Sequence, residues 1–137
     1  MDVQFSVLVY FVGMFVDWVF QTNWQAANKS RWASGDNKKQ SLRALLTHAV
    51  IYGAGTTLPV ALLLGRAQDL GFYGLVLTAL TVTHAFIDSR IPVRWVMKYV
   101  KRMRDDQIDN YAEYGFLHLG IDHRLHELVI VFLSFFV

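Results

Sequence analysis

The sequence predicts an all-α integral membrane protein: a four-helix bundle with an amphipathic interfacial helix between the third and fourth spans. Three observations predict it. Four apolar runs, about 3–20, 45–64, 70–88 and 116–137, each have the roughly 17–25 residues that a spanning helix needs. Apolar residues make up 54% of the chain, charged residues only 18%, and mean hydropathy is +0.30, too apolar for an ordinary soluble domain. The charges are also gathered into two connections rather than spread along the chain. At 137 residues the expectation is a single transmembrane domain, 1–137.

The first run is apolar except for Gln4, Ser6 and Asp17. Nothing basic precedes it and no small-x-small cleavage site follows, so it reads as a retained helix rather than a signal peptide. The second run contains His48 and is softened by Gly53, Gly55, Thr56, Thr57 and Pro59, the last expected to kink the helix without ending it. The third closes on His84 and Asp88. In the fourth, Asp122, His123, Arg124, His126 and Glu127 crowd the first half, so dipping into the membrane or lying partly in the interface is the alternative to a full crossing.

The connections carry the topology. Residues 21–43 hold Lys29, Arg31, Lys38, Lys39 and Arg43 against Asp36, and residues 90–115 hold Arg90, Arg94, Lys98, Lys101, Arg102 and Arg104. The short link between the second and third runs has Arg66. The positive-inside rule puts both long connections in the cytoplasm and both termini outside it, in a multi-pass membrane protein. Trp18, Trp24, Trp32, Trp95 and Tyr99 then gather at the cytoplasmic boundary, where amphipathic rings prefer to sit. Pro92 can open the interfacial helix. Trp95, Val96, Tyr99, Val100 and Met103 are expected on its apolar side, with Arg94, Lys98, Lys101 and Arg102 opposite. Asp105, Asp106, Asp109 and Glu113 read as a solvated acidic face, and Ser34-Gly35-Asp36-Asn37 as a turn.

With that topology the intramembrane ionisable groups fall at one depth, within ~15 Å of the cytoplasmic surface. Asp17 comes from the first helix, His48 from the second, His84 and Asp88 from the third, Asp122 and His126 from the fourth. His84 and Asp88 share a helix face, as do Asp122 and His126. Imidazole and carboxylate ligands suit Zn, Fe or Mn as a divalent metal, one or two ions, and the absence of cysteine rules out thiolate sites. Gln21 and Tyr52, each one turn beyond a proposed ligand, together with Lys29 and Arg124, are candidate supporting or substrate contacts. The competing explanation is that intramembrane His and Asp only tie helices together by hydrogen bonds. Against it stands the cost of about 2.5–3.5 kcal/mol for inserting each carboxylate.

These residues carry a resemblance. Asp17-x3-Gln21 with Lys29 downstream, His48-x3-Tyr52, His84-x3-Asp88 and Asp122-x3-His126 follow in an order that resembles a family of small bacterial and phage integral membrane proteins of unknown function. More distantly the chain is similar to inner-membrane proteins inferred to be metal-dependent hydrolases. Family members usually have Asp-Gln where this chain has Asp122-His123, and a Lys where it has Arg90; neither departure removes a proposed ligand. The resemblance implies the residue set and the membrane placement, not a reaction.

The function expected from the residues is metal-dependent hydrolysis of a lipid-like or membrane-proximal substrate by water held on the metal, with Asp17 or Asp122 as catalytic base. Divalent cation or proton transport is the alternative, as is a phage membrane-perturbing or structural protein in which Gly53, Gly55, Gly71 and Gly74 allow close helix packing. Membrane lipid and a homo-oligomer are the expected partners. A net charge of +2 is too small to point to nucleic acid.

Overall fold

A computed structural model describes residues 2–32, 37–65 and 68–136. Arg66, and Ser34, Gly35 and Asp36 of the expected turn, lie outside the described residues. Among those described the chain is helical, without strands.

Helix α1 (Val3–Val19) is capped by Asp2, whose carboxylate accepts from the Phe5 amide at 3.0 Å. The chain then bends by 89° into α2 (Asn23–Asn28), which opens on a Thr22/Gln25 capping box and continues as a 3₁₀ turn, Lys29–Trp32. Helix α3 (Lys38–Leu63) starts well before the apolar run that announces it, inside the basic connection. It also runs through Pro59 to Leu63. Helix α4 (Leu70–Asp88) is capped by Asp69, and α7 (Tyr111–Leu133) begins ahead of its apolar run. Between them lie α5 (Ile91–Trp95), a π-helical turn Val96–Val100, and α6 (Asp105–Ile108).

The four long helices pack in a ring, α1 on α3, α3 on α4, α4 on α7 and α7 on α1. The Asp2 amide donates to the Ser134 carbonyl at 3.1 Å, joining the start of α1 to the end of α7. One half of the ring is filled by Phe5, Val9, Val60, Val76, Leu80 and Ile130. The outside is apolar: Leu62, Leu70, Leu75 and Phe116 are exposed, Phe116 by 89%. Such a surface is stable in hydrocarbon rather than in water.

Two helices, α3 and α4, are long and apolar enough to cross a membrane, with mean hydropathies of 1.4 and 1.7. A third span results if α1 and the bent α2 segment form one broken crossing. The ionisable residues of α7 keep its hydropathy lower.

The segment after α4 keeps Trp95, Tyr99 and Val100 of the expected apolar side on its outer surface and buries a second apolar row behind them. Val93 and Met97 are fully buried against Ile108, with Tyr114, Leu117, Ile121 and Leu125 of α7 around them. Trp95, Tyr99 and Val100 point outward, the Trp95 and Tyr99 rings 5.6 Å apart. The segment is helical as far as Val100, Arg102 takes a left-handed φ of 56°, and Met103 packs back on the Val93, Met97 and Ile108 cluster. The acids expected to face solvent do so while paired: Asp105, Asp106 and Asp109 are exposed, Asp109 accepting from Arg94, Asp105 from Lys98 at 2.9 Å, and Asp106 from Arg104.

Of the four glycines named for close packing, two are used. A Cβ on Gly53 would run into the Thr81 hydroxyl and lie 3.2 Å from the Leu77 carbonyl oxygen, where α3 meets α4, and a Cβ on Gly55 would lie 2.9 Å from Val16 of α1. Gly71 and Gly74 face open space. Gly53→Ala is therefore expected to lower stability by about 1–3 kcal/mol in detergent unfolding. Gly74→Ala should leave stability unchanged or slightly raised.

Candidate metal centre

Five polar atoms crowd one nitrogen. His48 Nε2 lies 3.0 Å from Asp17 Oδ1, 3.0 Å from His84 Nε2, 3.0 Å from the Gln21 side-chain amide, 3.1 Å from Lys29 Nζ and 3.2 Å from Asp88 Oδ2. Asp88 Oδ2 is also 3.2 Å from His84 Nε2 and accepts from Lys29 Nζ at 2.7 Å. His48, His84 and Asp88 are each 1% exposed.

The backbone explains the convergence. His84 and Asp88 stand one turn apart at the end of α4, and α3 and α4 approach closely over Gly53. The bend after α1 brings Gln21 and Lys29 back under the site. The α2 segment is pinned to α3 by the Ser41 hydroxyl, which donates to the Asn28 carbonyl at 2.8 Å, and by the Gln25 amide, which donates to Thr47 at 3.3 Å. Tyr52, one turn beyond His48, stacks on the His84 imidazole at 3.7 Å and 11°, which holds that ring in plane.

A single imidazole nitrogen is either donor or acceptor, so His48 cannot satisfy all five neighbours. Lys29 answers part of the demand by donating to Asp88. Within the site, His48 Nδ1, His84 Nδ1 and His126 Nε2 are buried without a hydrogen-bond partner among the described residues. The tautomer of His126 follows from its other nitrogen. His126 Nδ1 lies 2.9 Å from the Asp122 carbonyl, which can only accept, so Nδ1 carries the proton and the neutral ring has an unshared pair on Nε2. That nitrogen can serve as a metal ligand.

The spacing fits one. Bonds of about 2.1 Å to zinc put neighbouring ligand atoms about 3.0–3.4 Å apart. Asp17, His48 and His84 form a triangle of 3.0, 3.0 and 3.7 Å. Two groups among the described residues can hold a metal ion, Asp17/His48/His84 and His84/Asp88/His126, each with its ligand atoms within 4.8 Å of one another. His84 is common to both.

Asp122 is placed differently. It belongs to neither group, and its Oδ1 faces Arg90 Nη1 at 3.7 Å. Arg124 is turned away from the site and paired with Glu127. His118 is buried, donates from Nε2 to the Ile108 carbonyl at 2.9 Å and stacks on Tyr111, which locks α6 to α7.

Sequence reasoning passed over a cleft between α1 and α7, about 60 Å3 in volume, with room for a few waters. Asp17 and His126 open into it, beside Trp18, His123 and Glu127, while Tyr10, Met14 and Ile130 line its apolar end. Gly13 also lines it, and a Cβ there would lie 2.8 Å from the Tyr52 hydroxyl. No local motif marks this seam, because it is made by two helices distant in sequence.

The buried Lys29–Asp88 pair gives a measurable consequence. Asp88→Ala alone is expected to cost about 3–5 kcal/mol, since it strands a buried ammonium. Adding Lys29→Met should return a large part of that loss, read as coupling in a double-mutant unfolding cycle. Comparison with protein-family models, curated proteins and solved structures found no match, so the chemistry of this centre rests on its own geometry.

Proposed function

We propose that this chain is a metal-dependent hydrolase of the bacterial inner membrane, acting on a lipid-like or membrane-proximal substrate. The observation that carries the reading is the convergence of Asp17, His48, His84, Asp88 and His126 into two overlapping ligand groups, with His126 Nε2 buried and without a hydrogen-bond partner among the described residues. In this reading α1, α3, α4 and α7 are four spans. The basic segment 91–100 lies at the cytoplasmic interface with Trp95 and Tyr99 outward.

The two ligand groups share His84. The reading therefore takes a single divalent cation, Zn, Fe or Mn, with His84 as the constant ligand. Three protein ligands leave a coordination position free, as in catalytic rather than structural sites. When bound there, the ion supplies Lewis acidity and brings the pKa of water towards neutrality.

The residues of the chain do the rest. Tyr52 holds the His84 ring by stacking, and the Asp122 carbonyl holds the His126 tautomer. Asp17 borders the cleft with its side chain 22% exposed, so with the ion on His84, Asp88 and His126 its carboxylate would be free to take a proton from water entering between α1 and α7. Lys29 holds Asp88 and offsets its charge. Transport is the weaker reading, because the half of the ring beyond the site is packed with Phe5, Val9, Val76 and Leu80.

Metal analysis of the detergent-purified protein tests this. The expected content is close to one divalent ion per chain, falling to a small fraction in His84→Ala and reduced in His126→Ala. Full metal content in His84→Ala would contradict the reading.

A further inference from the structure

We propose that the seam between α1 and α7 admits one acyl chain sideways from the cytoplasmic leaflet, and that the centre acts on a fatty-acyl ester with an uncharged, hydroxylated head, an acylglycerol. The proposal rests on the metal-centre reading above.

The cleft in this seam is graded along its length. Asp2 meets Ser134 at one end of the two helices and Trp18 meets His123 towards the other, so α1 and α7 run antiparallel. Tyr10 and Asp17 are separated by about 10 Å along α1, and Ile130 and His123 by about 10 Å along α7. Tyr10, Met14 and Ile130 therefore line one end of the cleft, and Asp17, His123, His126 and Glu127 the other. With α1 and α7 as spans, the carboxylates and imidazoles lie at the cytoplasmic end and the apolar end points to the bilayer centre. An acyl ester is graded in the same direction, with head and carbonyl at the interface and the chain directed inward.

The cleft also opens towards the surrounding lipid. Met14 and Trp18 line it and are themselves 48% and 64% exposed. The Trp18 and His123 rings stand across its mouth, 6.2 Å apart. An indole prefers the headgroup level, so Trp18 sets the adjacent Asp17 at the depth of a lipid's ester. A volume of about 60 Å3 takes the first carbons of one chain and leaves the remainder in the bilayer.

The head follows from the charge of the lining. Among the described residues that line the cleft none is Lys or Arg, whereas Asp17 and Glu127 are acidic. Arg124 pairs with Glu127 from outside the lining, Lys29 is committed to Asp88, and Arg90 faces Asp122. A phosphate head entering here would set its charge beside Asp17 with no lining cation to meet it. Hydroxyl groups complement the same lining, because they donate to carboxylate oxygens. The hydrolysis consumes one water. Its oxygen bonds to the acyl carbon and the C–O bond to the glycerol oxygen breaks. One water proton ends on that glycerol oxygen, and the other is shed by the carboxylic acid formed.

The test uses the detergent-purified full chain loaded with Mn²⁺, in micelles holding monooleoylglycerol labelled with ¹³C at the carbonyl and at the terminal methyl. The readout is the relaxation that bound Mn²⁺ imposes on each carbon. Wild type is expected to relax the carbonyl far more than the methyl, saturably, with loss of the effect on chelation. Oleoyl lysophosphatidic acid, which has the chain but a phosphate head, and glycerol monoacetate, which has the head but no chain, should each show several-fold less. Met14→Trp fills the cleft one turn before Asp17 from an exposed position; it should keep its Mn²⁺ and lose most of the carbonyl effect. The wild-type profile decides the matter if that variant loses its fold. Oleate release is expected from the chain loaded with Zn, Fe or Mn in turn, and release with none of them overturns the substrate class. Equal relaxation of both carbons, an equal effect from either comparison compound, or a wild-type profile in Met14→Trp overturns the inference alone. Absence of bound Mn²⁺ from wild type overturns the metal reading and the inference with it.

Discussion

Burying an ammonium and a carboxylate together is expensive unless each finds its full complement of partners. Around Lys29 and Asp88 this chain pays that cost at the junction of three helical segments. The bend after α1, the Thr22/Gln25 capping box and the bonds from Ser41 and Gln25 across to α3 and α2 all serve to bring Lys29 Nζ to Asp88. Without that contact, the end of α4 would present a lone carboxylate to an apolar interior. His48 and His84 enclose the pair and extend it towards Asp17 and His126.

The same crowding leaves demands unmet. Lys29 has one charge to share between Asp88 and the His48 ring, and His48 Nδ1, His84 Nδ1 and His126 Nε2 are buried without a hydrogen-bond partner among the described residues. A network that only ties helices together is expected to close on itself, since each unmet buried group costs about 1–3 kcal/mol. The three rings left unmet are those of the two groups that could hold a metal ion.

Much of this was legible in the sequence because its signals are local. The apolar runs mark the cores of the long helices, and i, i+4 spacing puts His84 with Asp88 and Asp122 with His126 on shared faces. That Asp17, His48, the His84–Asp88 pair and His126 come from four separate runs yet meet follows once those helices pack in a ring. What was not legible depends on backbone geometry or on pairs remote in sequence. Asp122 has the right face but is turned to Arg90, and Arg90 reaches it through a left-handed residue that no periodicity encodes. Val93 and Met97 form an inward row on the segment after α4 that the sequence reading did not single out, where the helix passes into a π turn. The acidic run is exposed as expected, but its pairing was not legible because Arg94 and Lys98 stand on a separate short segment.

The central claim is that His84, with a second imidazole and a carboxylate, forms a divalent metal centre inside the helix ring. X-ray absorption of the zinc-loaded protein addresses it most directly. The account predicts a first shell with two imidazole nitrogens at about 2.0–2.1 Å and at least one oxygen, with one imidazole lost in His84→Ala. A shell of oxygen alone, or one unchanged by His84→Ala, would contradict it.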